Sequence, residues 1–221
     1  KSFYVKDMNN MFYNCISLAS INIDNFYSQQ YNYYINVSRL FYNCYNLINI
    51  NGDFSNLYMI DTREMFYNCS SLEYNKNDNN NKYFWIKIYN QNNNYMNIIM
   101  SCMFYNCKQL QKIQIDSYNN YYYLLPTDFH FMFYNCVRLK SISFHYYNAH
   151  YAQNMSYMFY NCEQLQNFDN GNCQDKSNSN SLIPEKRTMK GMFQNCKALT
   201  SFIWPYSINT TNVDIMWDMF K

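Results

Sequence analysis

Nine cysteines are the residues of this chain that could most readily do chemistry, either as disulfides or as zinc ligands. Seven of them share one sequence context, preceded by asparagine and followed three residues later by leucine: Cys15, Cys44, Cys69, Cys107, Cys136, Cys162 and Cys196. A zinc site needs closely paired Cys or His ligands, and the sequence has no such pair. Because free cysteine packs as a small hydrophobe, we expect a stacked column of buried, reduced thiols.

Disulfides between neighbouring units are the alternative, although an odd column of cysteines cannot pair completely within itself. Cys102 and Cys173 lie outside the column, and their redox state is left open. The histidines His130, His145 and His150 lie in no metal-binding motif, and three scattered glycines cannot form a phosphate-binding loop. No motif spacing pairs the acidic residues. The sequence therefore predicts a protein that is not an enzyme and has no cofactor or metal.

Charge and hydropathy exclude two further classes of partner. The net charge is +2 without a basic run, whereas neutralising nucleic-acid phosphates needs clustered Lys and Arg. No apolar run approaches the roughly 18 residues that a membrane-spanning helix needs. We therefore expect neither a nucleic-acid partner nor a membrane span in this segment.

The column cysteines belong to a repeat. Phe-Tyr-Asn-Cys occurs at 12–15, 41–44, 66–69, 104–107, 133–136 and 159–162, a near copy occupies 193–196, and Met219-Phe220 opens an eighth. Self-similarity at 25 to 38 residues indicates a solenoid. We expect residues 1–221 to form one domain, a fragment of a longer array, with surface insertions near 73–82 and 171–181.

Two periodicities within each unit predict its elements. Met8, Phe12 and Cys15 fall three to four residues apart, which gathers them on one face of a short helix. The phrase Leu-x-x-Ile-x-Ile, which begins at Leu18, has the alternation of a short strand with one buried face. The sequence therefore predicts an α/β solenoid with one short helix, one short parallel strand and a return loop per repeat. The repeated apolar residues should point inward as stacked columns.

The phrase Met-Phe-x-x-Cys-x-x-Leu-x-x-Ile-x-Ile, with the return segment 209–220, resembles the BspA-like leucine-rich repeats. More specifically, it resembles the repeats known as domain of unknown function 285. This resemblance covers nearly the whole chain. It implies a right-handed leucine-rich-repeat solenoid, part of an extracellular or cell-surface protein, with an adhesive or protein-binding role.

Aromatic residues are the candidate partner-binding sites. Trp85 and Tyr89 flank Lys87 on the outward face of a predicted strand, as an interface anchor would, or else they pack against the neighbouring insertion. The return loops carry tyrosines, which offer rigid contact area or brace one edge of the solenoid. These tyrosines are Tyr31, Tyr33, Tyr34, Tyr121, Tyr122, Tyr123, Tyr146 and Tyr147.

Glycan attachment is a further prediction. Asn36, Asn154 and Asn209 lie in Asn-x-Ser/Thr sequences within the expected return loops, and they could carry glycans if a eukaryote secretes the protein.

These patterns favour a non-enzymatic protein-interaction or adhesion module, whose partners are other proteins. Two alternatives remain. Copies of the chain could stack into a filament or larger assembly, because terminal repeats without polar caps are sticky. The tyrosine-rich surface could also bind a glycan.

Overall fold

The computed structural model describes residues 5–24, 26, 34–52, 54, 57–74, 76–78, 81–89, 96–118, 124–145, 152–169, 186–202 and 213–221. These residues contain fourteen strands and no helix. The strands are β1 Ser20–Asn22, β2 Ile35–Asn36, β3 Asn49–Asn51, β4 Met59–Asp61, β5 Lys76–Asp78, β6 Asn81–Tyr89, β7 Met96–Ile99, β8 Lys112–Tyr118, β9 Leu124–Asp128, β10 Ser141–His145, β11 Asn167–Asp169, β12 Arg187–Thr188, β13 Ser201–Phe202 and β14 Val213–Ile215.

The strands stack in two parallel series, so the chain is a parallel β-solenoid. One series contains the predicted Leu-x-x-Ile-x-Ile strands, as the pair β1-β3 and the ladder β6-β8-β10-β11-β13. The other contains β2-β4-β7-β9 and the pair β12-β14, which precede the Met-Phe positions. Equivalent residues lie opposite each other, as in the row Ile113, Ile142 and Phe168. Each turn of the chain, which we call a rung, thus contributes to both series.

The prediction of an α/β leucine-rich-repeat fold with a helix in each repeat is wrong. The Met-Phe-x-x-Cys segments are successions of turns, in which alternate N–H groups bond within the rung and to the next rung. Tyr105 N–H donates to Cys102 O within its rung (N···O 3.2 Å), whereas Asn106 N–H donates to Tyr134 O in the next (2.8 Å). An α-helix would direct every N–H to the carbonyl four residues earlier. Neighbouring rungs are therefore joined by backbone hydrogen bonds through the segments that were predicted to be helical.

Backbone dihedral angles explain why no helix forms. The asparagine of each Phe-x-Asn-Cys motif adopts the left-handed conformation, with φ between 58° and 63°. The residue four positions earlier in each rung does so too, for example Cys102 at 55°. Such residues interrupt a right-handed helix, and asparagine tolerates this conformation better than most residues. The repeated asparagine therefore turns the chain at a fixed point of every rung.

The inward columns are confirmed. Cys107, Leu110 and Ile113 are 0%, 0% and 3% exposed, as the repeat phrase predicts. One continuous core fills the space between the two series of strands. Its central feature is a stack of phenylalanine rings, with centroids 5.2–5.7 Å apart and planes within 14° of parallel. This phenylalanine stack consists of Phe12, Phe41, Phe66, Phe104, Phe133, Phe159, Phe193 and Phe220.

The predicted return loops contain the second series of strands, which the sequence analysis missed. These strands also bury apolar side chains, including Ile35, Met59 and Ile98 at 0% exposure. Of the two predicted insertions, the first includes β5, which pairs antiparallel with the start of β6. Residues 171–181 lie outside the described part. Among the described residues, no helix is long and apolar enough to cross a membrane.

Candidate interaction surface

A row of stacked tyrosines runs along the turns that join the two series of strands. Each tyrosine follows a ring of the phenylalanine stack. Neighbouring tyrosine rings lie 4.5–4.9 Å apart and within 11° of parallel. We call this row the tyrosine ladder: Tyr13, Tyr42, Tyr67, Tyr105, Tyr134 and Tyr160. Tyr13 is 44% exposed and the other five are half-buried, so the ladder is both packed and accessible.

Partial burial raises the pKa values of four phenols of the ladder. Loss of solvent raises the pKa of Tyr67 to about 12, and neighbouring rings add to the effect. Burial is also the main cause of the raised pKa values of Tyr42, Tyr105 and Tyr134. At neutral pH these residues therefore present uncharged hydroxyl groups, each of which can donate and accept a hydrogen bond.

A second row, of asparagine side chains, lies beside the tyrosines. Each amide Nδ2 donates to Oδ1 of the asparagine in the preceding rung, with N···O distances of 2.6–2.9 Å. This asparagine ladder contains Asn14, Asn43, Asn68, Asn106, Asn135 and Asn161. It fixes the turns from which the tyrosines project, because these asparagines are the same residues that hold the left-handed dihedral angles.

The stacked column of free thiols is confirmed, and it has a structural role. Five of its seven members are buried, whereas Cys15 and Cys196 are half-buried. From Cys44 onward, each column thiol donates to the carbonyl oxygen of a stacked phenylalanine in the preceding rung, with S···O distances of 3.0–3.1 Å. Burial raises the pKa of Cys107 and Cys162 well above the ordinary thiol value and that of Cys196 to about 12. The eight cysteines that the structure describes are free thiols, and Cys173 lies outside the described residues.

The predicted Trp85 site lies on β6, beside an acidic residue of the next strand. Trp85 is half-buried, and its Nε1 donates to Oδ2 of Asp116 at 2.7 Å. The backbones of Lys87 and Tyr89 pair with Asp116 and Tyr118 on β8. The strand register therefore places the three predicted residues along one ladder, and their role in binding stays a prediction.

Only one of the predicted return-loop tyrosines lies in the described part of the chain. Tyr34 is half-buried immediately before β2. The remaining seven, Tyr31, Tyr33, Tyr121, Tyr122, Tyr123, Tyr146 and Tyr147, lie outside the described residues, so their clustering and their role in binding stay predictions.

The candidate glycan acceptors Asn36 and Asn154 occupy equivalent positions before the Met-Phe turns. Both are half-buried, and their Oδ1 atoms accept hydrogen bonds from the backbone N–H groups of Ser38 and Ser156, at 2.9 and 3.1 Å. Asn209 lies outside the described residues. Glycosylation stays a prediction at all three positions.

Sequence reasoning missed a cluster of chemically active side chains at the edge of the tyrosine ladder. His130 Nδ1 lies 2.6 Å from Asp128 Oδ1, and the Cys102 side chain adjoins the same imidazole. Hydrogen bonding to Asp128, and then to Cys102, raises the pKa of His130 to about 10. Aligning the repeats on their phenylalanines would have placed Cys102 and His130 in adjacent rungs. The described residues include no group of three or more His, Cys, Asp and Glu side chains that could hold a metal ion.

Comparison with known proteins agrees with the repeat architecture. The family model described as "Mycoplasma protein of unknown function, DUF285" matches twice, over residues 2–83 and 80–187. No curated protein and no solved structure matches the chain. The assignment to BspA-like leucine-rich repeats is not confirmed. Because the two matches span most of the sequence, the chain belongs to the DUF285 family of Mycoplasma proteins.

Proposed function

We propose that this chain is a non-enzymatic protein-interaction module that binds another protein through its tyrosine ladder. The observation that carries this proposal is the regular stack of six half-exposed or exposed tyrosines on one edge of the solenoid. Tyrosine is enriched at interface cores because it combines apolar area with a polar hydroxyl. An adhesive role at a cell surface is consistent with such an edge.

Rigidity supports the same proposal. Binding costs free energy when loose side chains become ordered, so a surface that is ordered beforehand loses less. The ladder rings are already held by their neighbours and by turns such as Asn106, whose backbone and side chain both bond to adjacent rungs. Tyrosine adds little further cost, since it has only two side-chain torsions.

The test uses beads coated with the chain and a cultured epithelial monolayer as the probe for an adhesive partner. Replacing both Tyr105 and Tyr134 with serine should reduce bead binding by at least about tenfold, as expected when central aromatic anchors are lost. The matched control is Trp85→Ser, which removes an aromatic side chain from the sheet and should leave most of the binding intact. Protease treatment of the monolayer should abolish binding, whereas glycosidase treatment should not.

Unchanged binding of a folded Tyr105→Ser/Tyr134→Ser variant would contradict the proposal. Loss in the Trp85→Ser variant alone would move the site to the strand face. Binding that is sensitive only to glycosidase would identify a glycan as the ligand instead of a protein.

A further inference from the structure

Cys102 differs from the column cysteines in position and surroundings. It lies two residues before Phe104, at the first left-handed position of its rung. It is half-buried, whereas the five central column cysteines from Cys44 to Cys162 are fully buried. The equivalent positions of other rungs hold unlike residues, namely Asn10, Arg39, Glu64, Phe131, Tyr157, Gly191 and Asp218. The fold therefore does not require a thiol there, and a left-handed φ of 55° disfavours one.

The next rung places an imidazole beside this thiol. The Cys102 N–H donates to His130 O at 2.9 Å, which fixes the register of the two residues. Asp128 holds the histidine twice, since its Oδ1 contacts the ring Nδ1 at 2.6 Å and accepts from the His130 backbone N–H at 3.1 Å. The imidazole therefore has a fixed position against the Cys102 side chain.

The charged group next to the Cys102 thiol at neutral pH is a cation, the His130 ring. His130 has its pKa raised to about 10 by Asp128 and then by Cys102, so the ring carries a proton. Cys102 in turn contributes to the raised pKa values of the nearby phenols Tyr67 and Tyr105. In the preceding rung, Glu64 is paired with Arg39. The cation adjoining Cys102 is therefore the His130 imidazolium, which Asp128 holds in its protonated form.

A partly exposed thiol beside a fixed cation is the setting in which cysteine reacts with electrophilic sulfur. We propose that Cys102 is a modification site that forms mixed disulfides with low-molecular-weight disulfides, with His130 as its positioning residue. The Cys102 thiol releases its proton to solvent, and the thiolate attacks one sulfur of the reagent. The reagent S–S bond breaks as the new S–S bond forms, and the departing thiolate takes up a proton. Cys102 is oxidised and the reagent is reduced.

The test treats the native chain with oxidised glutathione or dithionitrobenzoate and maps the adducts by mass spectrometry. Cys102 should react at least about tenfold faster than Cys107 and Cys136, whose thiols are buried and bonded to carbonyl groups. Cys102→Ser should remove that adduct. Equal rates at Cys102 and at the two buried thiols in the folded chain would overturn the proposal.

Two further variants separate a role of the imidazolium from a purely structural one. His130→Gln should slow modification of Cys102 by about tenfold at neutral pH, because it removes the cation that stabilises the thiolate. With His130 intact, Cys102 should react faster than in His130→Gln only up to about pH 8.5, above which an ordinary thiol is ionised without help; the ring itself stays protonated until about pH 10. In Asp128→Asn, Cys102 should react no faster than in His130→Gln above about pH 7, because an ordinary histidine is neutral in that range. A His130→Gln variant that folds and reacts at the parent rate would overturn the role of His130.

Discussion

Replacing Phe104 with alanine should lower the free energy of unfolding by about 3–5 kcal/mol, the usual loss for a fully buried phenylalanine. Phe104 is 0% exposed and lies in the middle of the phenylalanine stack. Its ring centroid is 5.3 Å from that of Phe66 and 5.5 Å from that of Phe133, and Phe84 meets it edge-on at 5.4 Å. The substitution leaves a cavity with these three rings on its walls. Hydrogen-bonded strands and turns on both sides keep the cavity from collapsing.

Urea denaturation of the parent and the variant measures this loss. Phe220→Ala is the matched control, because it removes the same ring from a terminal rung where the side chain is 63% exposed. The control should cost under about 1 kcal/mol, as changes of exposed residues usually do. Equal losses in the two variants would mean that the phenylalanines do not form one interior stack.

The second large effect is expected at Asn106, where alanine should cost about 3 kcal/mol. About 1–2 kcal/mol of this comes from the left-handed conformation, which alanine adopts poorly at a φ of 59°. The remainder comes from two hydrogen bonds of the asparagine ladder, to Asn68 and from Asn135, each worth about 1 kcal/mol or less at a half-buried site.

Glycine at the same position separates these two contributions. Asn106→Gly removes both ladder hydrogen bonds but adopts positive φ without strain, so urea denaturation should show a smaller loss than for Asn106→Ala. If alanine is tolerated as well as glycine, Asn106 does not hold the left-handed turn, and this description of the rung is wrong.

The part of the fold that depends on identical residues stacking on one another is predictable from the sequence. Leu110 and Ile113 repeat at fixed distances from Cys107, and side chains that recur in every unit of a solenoid must occupy the same column. The alternation after each leucine correctly located the first series of strands. The second series was missed because its segments, such as β4 and β12, share no repeated phrase and are only three and two residues long.

The helix was predicted because apolar spacing of three to four residues cannot distinguish a helix from successive tight turns. Phe104 and Cys107 face the core in either arrangement, so burial alone does not decide between them. The asparagine that precedes every column cysteine, such as Asn106, decides between a helix and successive turns. Its left-handed dihedral angles and its bonds to neighbouring rungs are properties of the stacked array, which a single repeat does not have.

The candidate site was predictable only in part. The sequence predicts binding tyrosines in the variable loops, whereas the tyrosine ladder comes from the tyrosine inside the repeated motif itself. Residues such as Tyr105 and Tyr134 are 29 positions apart in sequence and meet only when rungs stack. The proximity of Cys102 to His130 arises in the same way, from the register between adjacent rungs.

The central claim is that each Phe-x-Asn-Cys motif is a left-handed turn bonded to its neighbouring rungs. Nuclear magnetic resonance of the isotope-labelled chain tests it directly at residues 102–107. The structure predicts side-chain amide contacts between Asn106 and Asn135, with carbon shifts at Cys102 and Asn106 that indicate positive φ. Continuous helical carbon shifts across this segment, with sequential amide contacts and none between Asn106 and Asn135, would contradict the β-solenoid.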